Sequence, residues 1–204
     1  HLAVIGEERV ILIDCVGNPI VRLEQAGIDL MQITDLILTH FHPDHIAGVP
    51  LLLMDMWLLG RRAPLDIYGL EHTLVRTMRL MSDFDWESWP DFYEVNFHVV
   101  QEARMAKVVD SGELRVWSSP VRHIVPTIGL RIEALKTGRS MAYSCDTEPC
   151  DEVVELASKA DLLIHEAGGK SYGHSSAAQA GEIARRAAVQ SLYLIHYSTK
   201  DGKQ

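Results

Sequence analysis

Three histidines and one aspartate lie within six consecutive positions of this sequence, at His40, His42, Asp44 and His45. Neutral imidazole and carboxylate are the side chains that bind zinc, manganese and iron. One histidine near the end of a strand is most often a packed or solvated residue. Three of them, interleaved with an aspartate and the turn-forming Pro43, are difficult to explain by packing. We therefore predict a metal site in this stretch.

The flanking sequence predicts that this cluster follows a strand. Residues 35–38 are a short apolar run typical of a buried strand, and residues 46–54 indicate a turn and the start of a helix. Loops at the carboxyl ends of strands are where α/β proteins bind their ligands. A metal site needs more ligands than one loop supplies. Further candidates follow other predicted strands, at His123, Asp146 and His196.

Length and composition limit the classes of protein that this sequence can encode. A chain of 204 residues with 47% hydrophobic and 23% charged residues is long enough for one globular domain. No apolar run approaches the roughly 20 residues that span a bilayer, so we expect no membrane segment. Three cysteines without a C-x-x-C pair do not suggest disulfides, and a cytoplasmic location is expected. The net charge of −9 argues against a protein that binds long nucleic acids, although two bound cations would offset part of it.

The remaining pattern predicts alternating strands and helices. Residues 2–5 and 10–15 predict a β-hairpin, and residues 175–188 predict a helix capped by Ser175 or Ser176. Further helices are predicted at 19–27, 51–59, 71–81 and 152–157, and further strands at 35–38, 65–69, 95–100, 114–118, 129–134, 141–144, 161–166 and 192–195. No repeat or linker interrupts the pattern, so we predict a single domain over residues 1–204.

An aromatic and acidic segment, residues 82–93, has two interpretations. It contains two tryptophans, two phenylalanines and a tyrosine among four acidic residues. Either the aromatic rings only cover the core, or they form a lid or pocket wall beside the substrate site.

The H-x-H-x-D-H pattern resembles the signature of the metallo-β-lactamase superfamily. Later motifs resemble its ribonuclease Z and phosphodiesterase branch: Pro-Val-Arg-His at 120–123, Ser-Cys-Asp-Thr at 144–147 and Leu-Ile-His-Tyr-Ser at 194–198. The similarity extends from Leu2 to Ser198. It implies an α/β fold of four αββα layers, two mixed β-sheets with helices on the outer faces. Members usually have another strand before the hairpin, so this chain is expected to lack an N-terminal strand.

The resemblance also implies two divalent metal ions, with zinc expected first and manganese or iron as alternatives. It assigns His40, His42 and His123 to one ion. It assigns Asp44, His45 and His196 to the other, with Asp146 as the bridge. Two neighbouring cations need an anionic bridge, and together they lower the pKa of a shared water towards about 7. The sequence departs from the family at Cys145, where glycine is more frequent, and we predict that Cys145 and Cys15 are small buried residues.

Two further stretches resemble motifs peculiar to the ribonuclease Z branch, Gly-His-Ser-Ser at 173–176 and Ile-His-Glu-Ala at 164–167. In that branch the motif histidine stabilises the phosphate and protonates the leaving oxygen, and an acidic residue orients it. The resemblance therefore assigns His174 as general acid and Glu166 as its partner, so that the catalytic residues are His174, Glu166 and the metal ligand Asp44. For His165 we expect an outward or structural role.

The predicted function is a dinuclear hydrolase that cleaves a small phosphodiester, a cyclic nucleotide or a short oligonucleotide end, by attack of a metal-bound hydroxide. In tRNA-processing members a long insertion that binds tRNA lies between the residues matching His123 and Asp146. Here these residues are 23 positions apart, which leaves room for a hairpin, so tRNA is not an expected partner. The alternatives are hydrolysis of a carboxylic, sulfate, thioester or lactam bond, a ribonuclease Z-like nuclease, and a non-catalytic metal-binding protein. A homodimer is left open.

Overall fold

The computed structural model describes residues 1–197, and Ser198 of the last motif lies outside them. Backbone contacts divide the chain into two compact units, His1–Val100 and Gln101–Gln204. The prediction of a single domain over residues 1–204 is not tested by this division and stays a prediction.

The described strands are β1 Leu2–Ile5, β2 Val10–Ile13, β3 Asp35–Leu38, β4 Leu65–Gly69, β5 Val95–Val99, β6 Ala106–Asp110, β7 Leu114–Val121, β8 Thr127–Ala134, β9 Arg139–Tyr143, β10 Leu162–Glu166 and β11 Ser191–Ile195. The described α-helices are α1 Pro19–Gln25, α2 Pro43–Ile46, α3 Val49–Leu58, α4 Glu71–Ser82, α5 Asp151–Leu156 and α6 Ala177–Ala187.

The first unit contains a mixed sheet with the strand order β1-β2-β3-β4-β5. The predicted hairpin is the antiparallel pair β1–β2, and β2, β3, β4 and β5 are parallel neighbours. Every residue of β2 and β3 is buried, as expected for parallel strands covered on both faces. Since β2 and β3 are parallel neighbours, the residues that follow them, Asp14 and Thr39, lie at the same edge of this sheet.

The second unit contains a mixed sheet with the order β11-β10-β9-β8-β7-β6. Strands β9, β10 and β11 are parallel, whereas β6, β7, β8 and β9 alternate in direction. Consequently β7, β9, β10 and β11 all run the same way, and their carboxyl ends meet at one edge of the sheet. The residues at or just after these four ends are His123, Asp146, Glu166 and His196.

Strand β6 was not predicted. Its pairing with β7 shifts register between Lys107 and Val109, so one extra residue interrupts the alternation of buried and exposed side chains. A β-bulge of this kind removes the period of two from which strands are recognised in a sequence. The sequence pattern therefore carried too weak a signal for this edge strand.

The start of α6 settles which serine caps it. The Ser176 side chain accepts a hydrogen bond from the backbone N–H of Gln179, and the Gln179 side chain accepts one from the backbone N–H of Ser176. This reciprocal arrangement is a capping box, which satisfies backbone donors at the start of a helix. Ser175 lies before the cap, and its hydroxyl donates to the carbonyl oxygen of Thr147.

The segment between His123 and Asp146 forms the hairpin that its length predicted. Strands β8 and β9 pair over five positions, from Leu130–Tyr143 to Ala134–Arg139, and four residues connect them. Among the described residues, no helix is long and apolar enough to cross a membrane.

Gly129 in β8 offers a test of this packing. A Cβ there would lie 2.9 Å from Leu156 Cδ1 and 3.1 Å from the carbonyl oxygens of Tyr143 and Ser144. Two of these contacts are backbone atoms that cannot rotate away. We expect Gly129→Ala to lower the free energy of unfolding by about 1–3 kcal/mol in urea titrations.

Gly181 in α6 is the matched control, because a Cβ there meets nothing within 4 Å. Gly181→Ala should raise the free energy of unfolding by about 0.5–1 kcal/mol through a less flexible unfolded chain. Equal effects of the two substitutions would show that the close approach at Gly129 is not a constraint.

Candidate metal and catalytic site

The segment His40–His45, which runs from the end of β3 into α2 and is called here the histidine loop, brings three imidazole rings of the first unit together. His40 is fully buried, and its Nε2 lies 3.1 Å from Nδ1 of His42. The ring centroids of His40 and His45 are 4.0 Å apart. Asp44 lies in the first turn of α2 with an exposed carboxylate, and its Oδ2 is 3.8 Å from Nε2 of His45. The structure thus brings together the four residues of the predicted cluster.

Asp14 is a site residue that the sequence analysis missed. It is buried directly after β2, where its carboxylate accepts hydrogen bonds from the Thr39 N–H at 2.8 Å and the Thr39 hydroxyl at 2.9 Å. Its Oδ2 lies 2.8 Å from Nδ1 of His45. Because a carboxylate only accepts, Nδ1 of His45 carries the proton and Nε2 keeps the lone pair. Metal-binding histidines almost always have such a partner on their second nitrogen.

A signal for Asp14 was present in the sequence. It is an acidic residue directly after a run of four buried apolar residues, as Thr39 and His40 directly follow β3. The sequence does not show that β2 and β3 are parallel neighbours. That pairing alone places Asp14 beside the histidine loop.

The backbone behind the histidine loop is held closely at Cys15. The Cys15 N–H donates to the His45 carbonyl, and the Gly48 N–H donates to the Cys15 carbonyl. A Cβ at Gly48 would come within 3.0 Å of that carbonyl oxygen. Burial raises the pKa of the Cys15 thiol to about 12, so it stays protonated and packs as a small core residue.

At the sheet edge of the second unit, the predicted residues form two overlapping groups. Potential ligand atoms of His123, Asp146 and His174 all lie within 4.8 Å of one another, and so do those of Glu166, His174 and His196. Nδ1 of His196 lies 3.2 Å from Oδ1 of Asp146. His174 is therefore as close to these residues as a metal ligand would be, although the sequence analysis placed it outside the ligand set.

His123 is oriented by the backbone of Gly173. Its Nδ1 donates to the Gly173 carbonyl at 2.8 Å, which leaves Nε2 as the nitrogen with the lone pair. Gly173 has φ +80°, and a Cβ there would lie 2.9 Å from Ile124 Cγ1 and 3.0 Å from Nδ1 of His123. Only glycine satisfies both the left-handed backbone and this close approach.

Glu166 is a buried carboxylate at the end of β10 with four partners. It accepts hydrogen bonds from the backbone N–H groups of Gly168 at 2.6 Å, Ser175 at 2.8 Å and Thr147 at 3.3 Å. Its Oε1 lies 3.2 Å from Nδ1 of His174, whose side chain is 21% exposed. The carboxylate is therefore fixed, and it holds the imidazole with Nε2 as the nitrogen remaining for another partner.

His165, the neighbour of Glu166, does not point outward. It is fully buried, and its Nδ1 donates to the Glu166 carbonyl at 2.7 Å. Burial lowers the pKa of this imidazole, so it is neutral in the folded chain. Of the two roles expected for it, the structural one agrees with this position.

Three residues beside the site have left-handed backbones that are unusual for side chains other than glycine. Asp14, Cys145 and His196 have φ of 58°, 54° and 55°, and each lies within two residues of the end of a strand. Such conformations raise the energy locally and cluster at functional sites. At Cys145 the conformation accounts for the glycine that is more frequent in the family, because glycine adopts it without strain, and nothing in the structure explains the cysteine of this chain.

In the aromatic and acidic segment, residues 82–93, rings both cover the core and line a cavity, and a role of the segment at a substrate site stays a prediction. Trp89 stacks on Trp57 at 5.0 Å and packs against the core, whereas Phe84 is 53% exposed. Phe84 and Trp89 also form one wall of a cavity of about 300 Å³. Ala47, two residues after His45, lines the same cavity.

The donors of each unit suit a divalent transition metal. Imidazole nitrogens and carboxylate oxygens are the ligands that zinc, manganese and iron accept. His45 and His123 each have Nδ1 engaged by an oxygen acceptor, which is the arrangement expected around metal-binding imidazoles. The residues therefore fit the metal ions that the sequence predicted.

Comparison with known proteins decides the family. The pattern of the family described as "Beta-lactamase superfamily domain" matches residues 9–197. The ribonuclease Z of Methanothermobacter thermautotrophicus is 31% identical over 247 aligned positions, which include 94% of this chain and 78% of the relative. The chain belongs to the metallo-β-lactamase superfamily, in its ribonuclease Z and phosphodiesterase branch. It is a metal-dependent hydrolase.

Solved structures of this superfamily share the fold. The short form of human tRNase Z superposes with a TM-score of 0.81 at 24% identity, over 97% of this chain and 85% of that one. A diphosphatase of the PhnP family gives 0.73 at 21% identity, over 96% and 72%. The prediction of a metallo-β-lactamase fold with two mixed sheets and helices is confirmed. The role of each site residue is not tested by these comparisons and stays a prediction.

The role of Asp14 can be tested by Asp14→Asn. An amide has one oxygen, so it cannot accept from Thr39 and from Nδ1 of His45 as the carboxylate does. We expect the affinity for zinc to fall about 10- to 100-fold, measured by competition with a chelator of known affinity.

Asp35 supplies the control. It is a buried carboxylate of the same unit that accepts from Arg9 and Thr34 at the opposite end of β3. Asp35→Asn should change stability and leave zinc affinity unchanged. If Asp14→Asn behaves in the same way, Asp14 does not orient a metal ligand.

Proposed function

We propose that this hydrolase is a dinuclear phosphodiesterase that acts on a small phosphodiester, such as a cyclic nucleotide or a short oligonucleotide end. The observation that carries the proposal is the pair Glu166–His174, which lies beside His123 and Asp146. Cleavage of an ester with an alkoxide leaving group benefits from a side chain that donates a proton to the leaving oxygen. The imidazole of His174, oriented by the buried carboxylate of Glu166, is proposed as that donor.

The proposed ligand sets come from the family motifs. In this proposal His40, His42 and His123 would hold one ion, Asp44, His45 and His196 would hold the other, and Asp146 would be a ligand shared by both. Zinc is the ion we expect, and the same donors accept manganese or iron. When bound, two divalent ions polarise the phosphoryl group and lower the pKa of a coordinated water.

In the proposed reaction His174 donates the proton that the leaving group needs, and Glu166 orients His174. In the proposed step the bond from phosphorus to the leaving oxygen breaks, and its electron pair stays on that oxygen. Nε2 of His174 gives the oxygen a proton, while Nδ1 stays hydrogen-bonded to Glu166. Water supplies the OH group that bonds to phosphorus and releases its other proton to solvent. His174 then takes one proton from solvent, which restores its starting state. The products are an alcohol and a phosphomonoester.

Cleavage of tRNA is the second candidate, and the ribonuclease Z relatives favour it. Three observations favour the small ester instead. The segment from His123 to Asp146 contains only the β8–β9 hairpin. The alignment with the first relative spans 247 positions although this chain has 204 residues, so the relative carries internal segments that are missing here. The net charge of −9 disfavours a large contact with phosphates.

A turnover panel on protein of measured zinc content tests the proposal. It contains bis-p-nitrophenyl phosphate, a cyclic nucleotide, a dinucleoside monophosphate, a p-nitrophenyl carboxylic ester, a lactam and a precursor tRNA. We expect about two zinc ions per chain and the highest kcat/KM on one of the small phosphodiesters. Site-specific cleavage of the precursor tRNA at a higher kcat/KM would decide for the second candidate, and preference for the carboxylic ester or lactam would refute both.

His174→Ala separates proton donation from metal binding. As a general acid, His174 should contribute about 100- to 10,000-fold to kcat with an alkoxide leaving group. It should contribute much less with p-nitrophenolate, which leaves without protonation. The bound zinc should not change.

Glu166→Gln should give a milder form of the same leaving-group dependence, because the amide still contacts His174 but carries no charge. Loss of one zinc ion from His174→Ala would instead make His174 a ligand, as its proximity to His123 and Asp146 allows. Unchanged rates with every phosphodiester would remove the main support for the proposed function.

A further inference from the structure

A cavity of about 300 Å³ opens beside His174 in the second unit. The residues that line it include Glu148, Lys170, Tyr172 and Gln179. The volume is at the small end of the range for ligand sites, sufficient for one nucleoside and too small for folded RNA. Any group bound here lies next to the imidazole that, under the proposed function, protonates the leaving oxygen.

The loop that carries Tyr172 is fixed by hydrogen bonds on both sides of the residue. The Gly169 N–H donates to the Ser175 carbonyl at 3.0 Å, and the His174 N–H donates to the Ser171 carbonyl at 3.1 Å. The Gly173 N–H donates to Oε1 of Glu148 at 3.0 Å. The backbone is therefore ordered before any ligand binds.

Tyr172 itself is 76% exposed, the highest value among the exposed large hydrophobic residues of the described chain. A ring so exposed contributes little to the stability of the fold, since hydrophobic stabilisation follows the area removed from water. Its faces are accessible to a planar group of a ligand. An exposed aromatic ring on an ordered loop is how proteins stack single nucleobases.

We infer that Tyr172 stacks on the nucleobase of a nucleoside leaving group, so that the substrate is a nucleotide diester. The inference rests on the proposed function, in which His174 protonates the leaving oxygen. The nucleoside then departs as an alcohol with that proton, and the other ester group stays on the phosphomonoester. Tyr172 is a specificity-determining residue, because it contacts the part of the substrate that does not react.

The polar wall of the cavity favours a nucleobase over other aromatic groups. A base has a stacking face and an edge of donors and acceptors, which the amide nitrogen of Gln179, the ammonium of Lys170 and the second carboxylate oxygen of Glu148 can meet. A hydrocarbon ring has no such edge. An alkyl alcohol would gain little from Tyr172, because it has no π face.

The test compares Tyr172→Ala and Tyr172→Phe with the unaltered chain on two substrates. One is a dinucleoside monophosphate, and the other is a dialkyl phosphodiester without an aromatic ring. Tyr172→Ala should raise KM for the dinucleoside about 10- to 100-fold, since stacking on one base contributes about 1–3 kcal/mol. Its kcat should stay within about threefold, KM for the dialkyl ester should stay within twofold, and Tyr172→Phe should retain the original values.

Tyr193→Ala is the matched control. Tyr193 is 64% exposed on β11 and is not among the residues that line this cavity. It should change no kinetic parameter. Equal changes on both substrates for Tyr172→Ala, or no change on either, would overturn the inference while leaving the phosphodiesterase activity established.

A binding measurement separates the inference from the proposed function. Adenosine, which carries no phosphodiester, is titrated into the zinc-loaded protein and followed by saturation-transfer NMR, for the unaltered chain, Tyr172→Ala and Tyr193→Ala. Binding by the unaltered chain and Tyr193→Ala but not by Tyr172→Ala supports the stacking site, even if no phosphodiester is hydrolysed. Equal signals from all three proteins, or none from any, would refute it.

Discussion

The buried carboxylate of Glu166 is the interaction on which the site of the second unit depends. An ionised carboxylate removed from water needs a full set of hydrogen bonds or a charge partner. Glu166 obtains them from the backbone of Thr147, Gly168 and Ser175 and from the imidazole of His174. These bonds join the end of β10, the loop that follows Asp146, and the segment that leads into α6. The requirement to satisfy one charge therefore organises three stretches of chain.

Asp14 is the corresponding buried carboxylate of the first unit, and it too obtains hydrogen bonds from separate stretches of chain. Its carboxylate joins the end of β2 to the end of β3 through Thr39 and to the start of α2 through His45. In both units a buried acidic residue at the end of a strand orients an imidazole while other partners hold the acid still. The orientation of these two imidazole rings is thus fixed by residues that are not proposed as metal ligands.

The sequence patterns identified most residues of the site, but they did not identify the contacts that orient those residues. Strands β3 and β4 were predicted with their observed bounds, because a short apolar run indicates a strand and the polar residues that follow it indicate where the strand ends. Strand β6 was missed because a bulge removes its alternation. The function of Asp14 was missed for a different reason. It depends on which strands are neighbours, and no local pattern around residue 14 contains that information.

The hairpin from β8 to β9 could vary in length without moving the residues of the site. Strand β8 begins at the edge that carries His123, where Thr127 pairs with Val121, and it runs eight residues away before the chain returns through β9 to Asp146. At about 3.3 Å per residue the turn lies roughly 25 Å from that edge. The register near the site is fixed by pairs such as Leu130–Tyr143, so residues added at the turn would not move His123 or Asp146. An insertion at this turn would add surface far from the site residues, whereas the four-residue connection of this chain adds none.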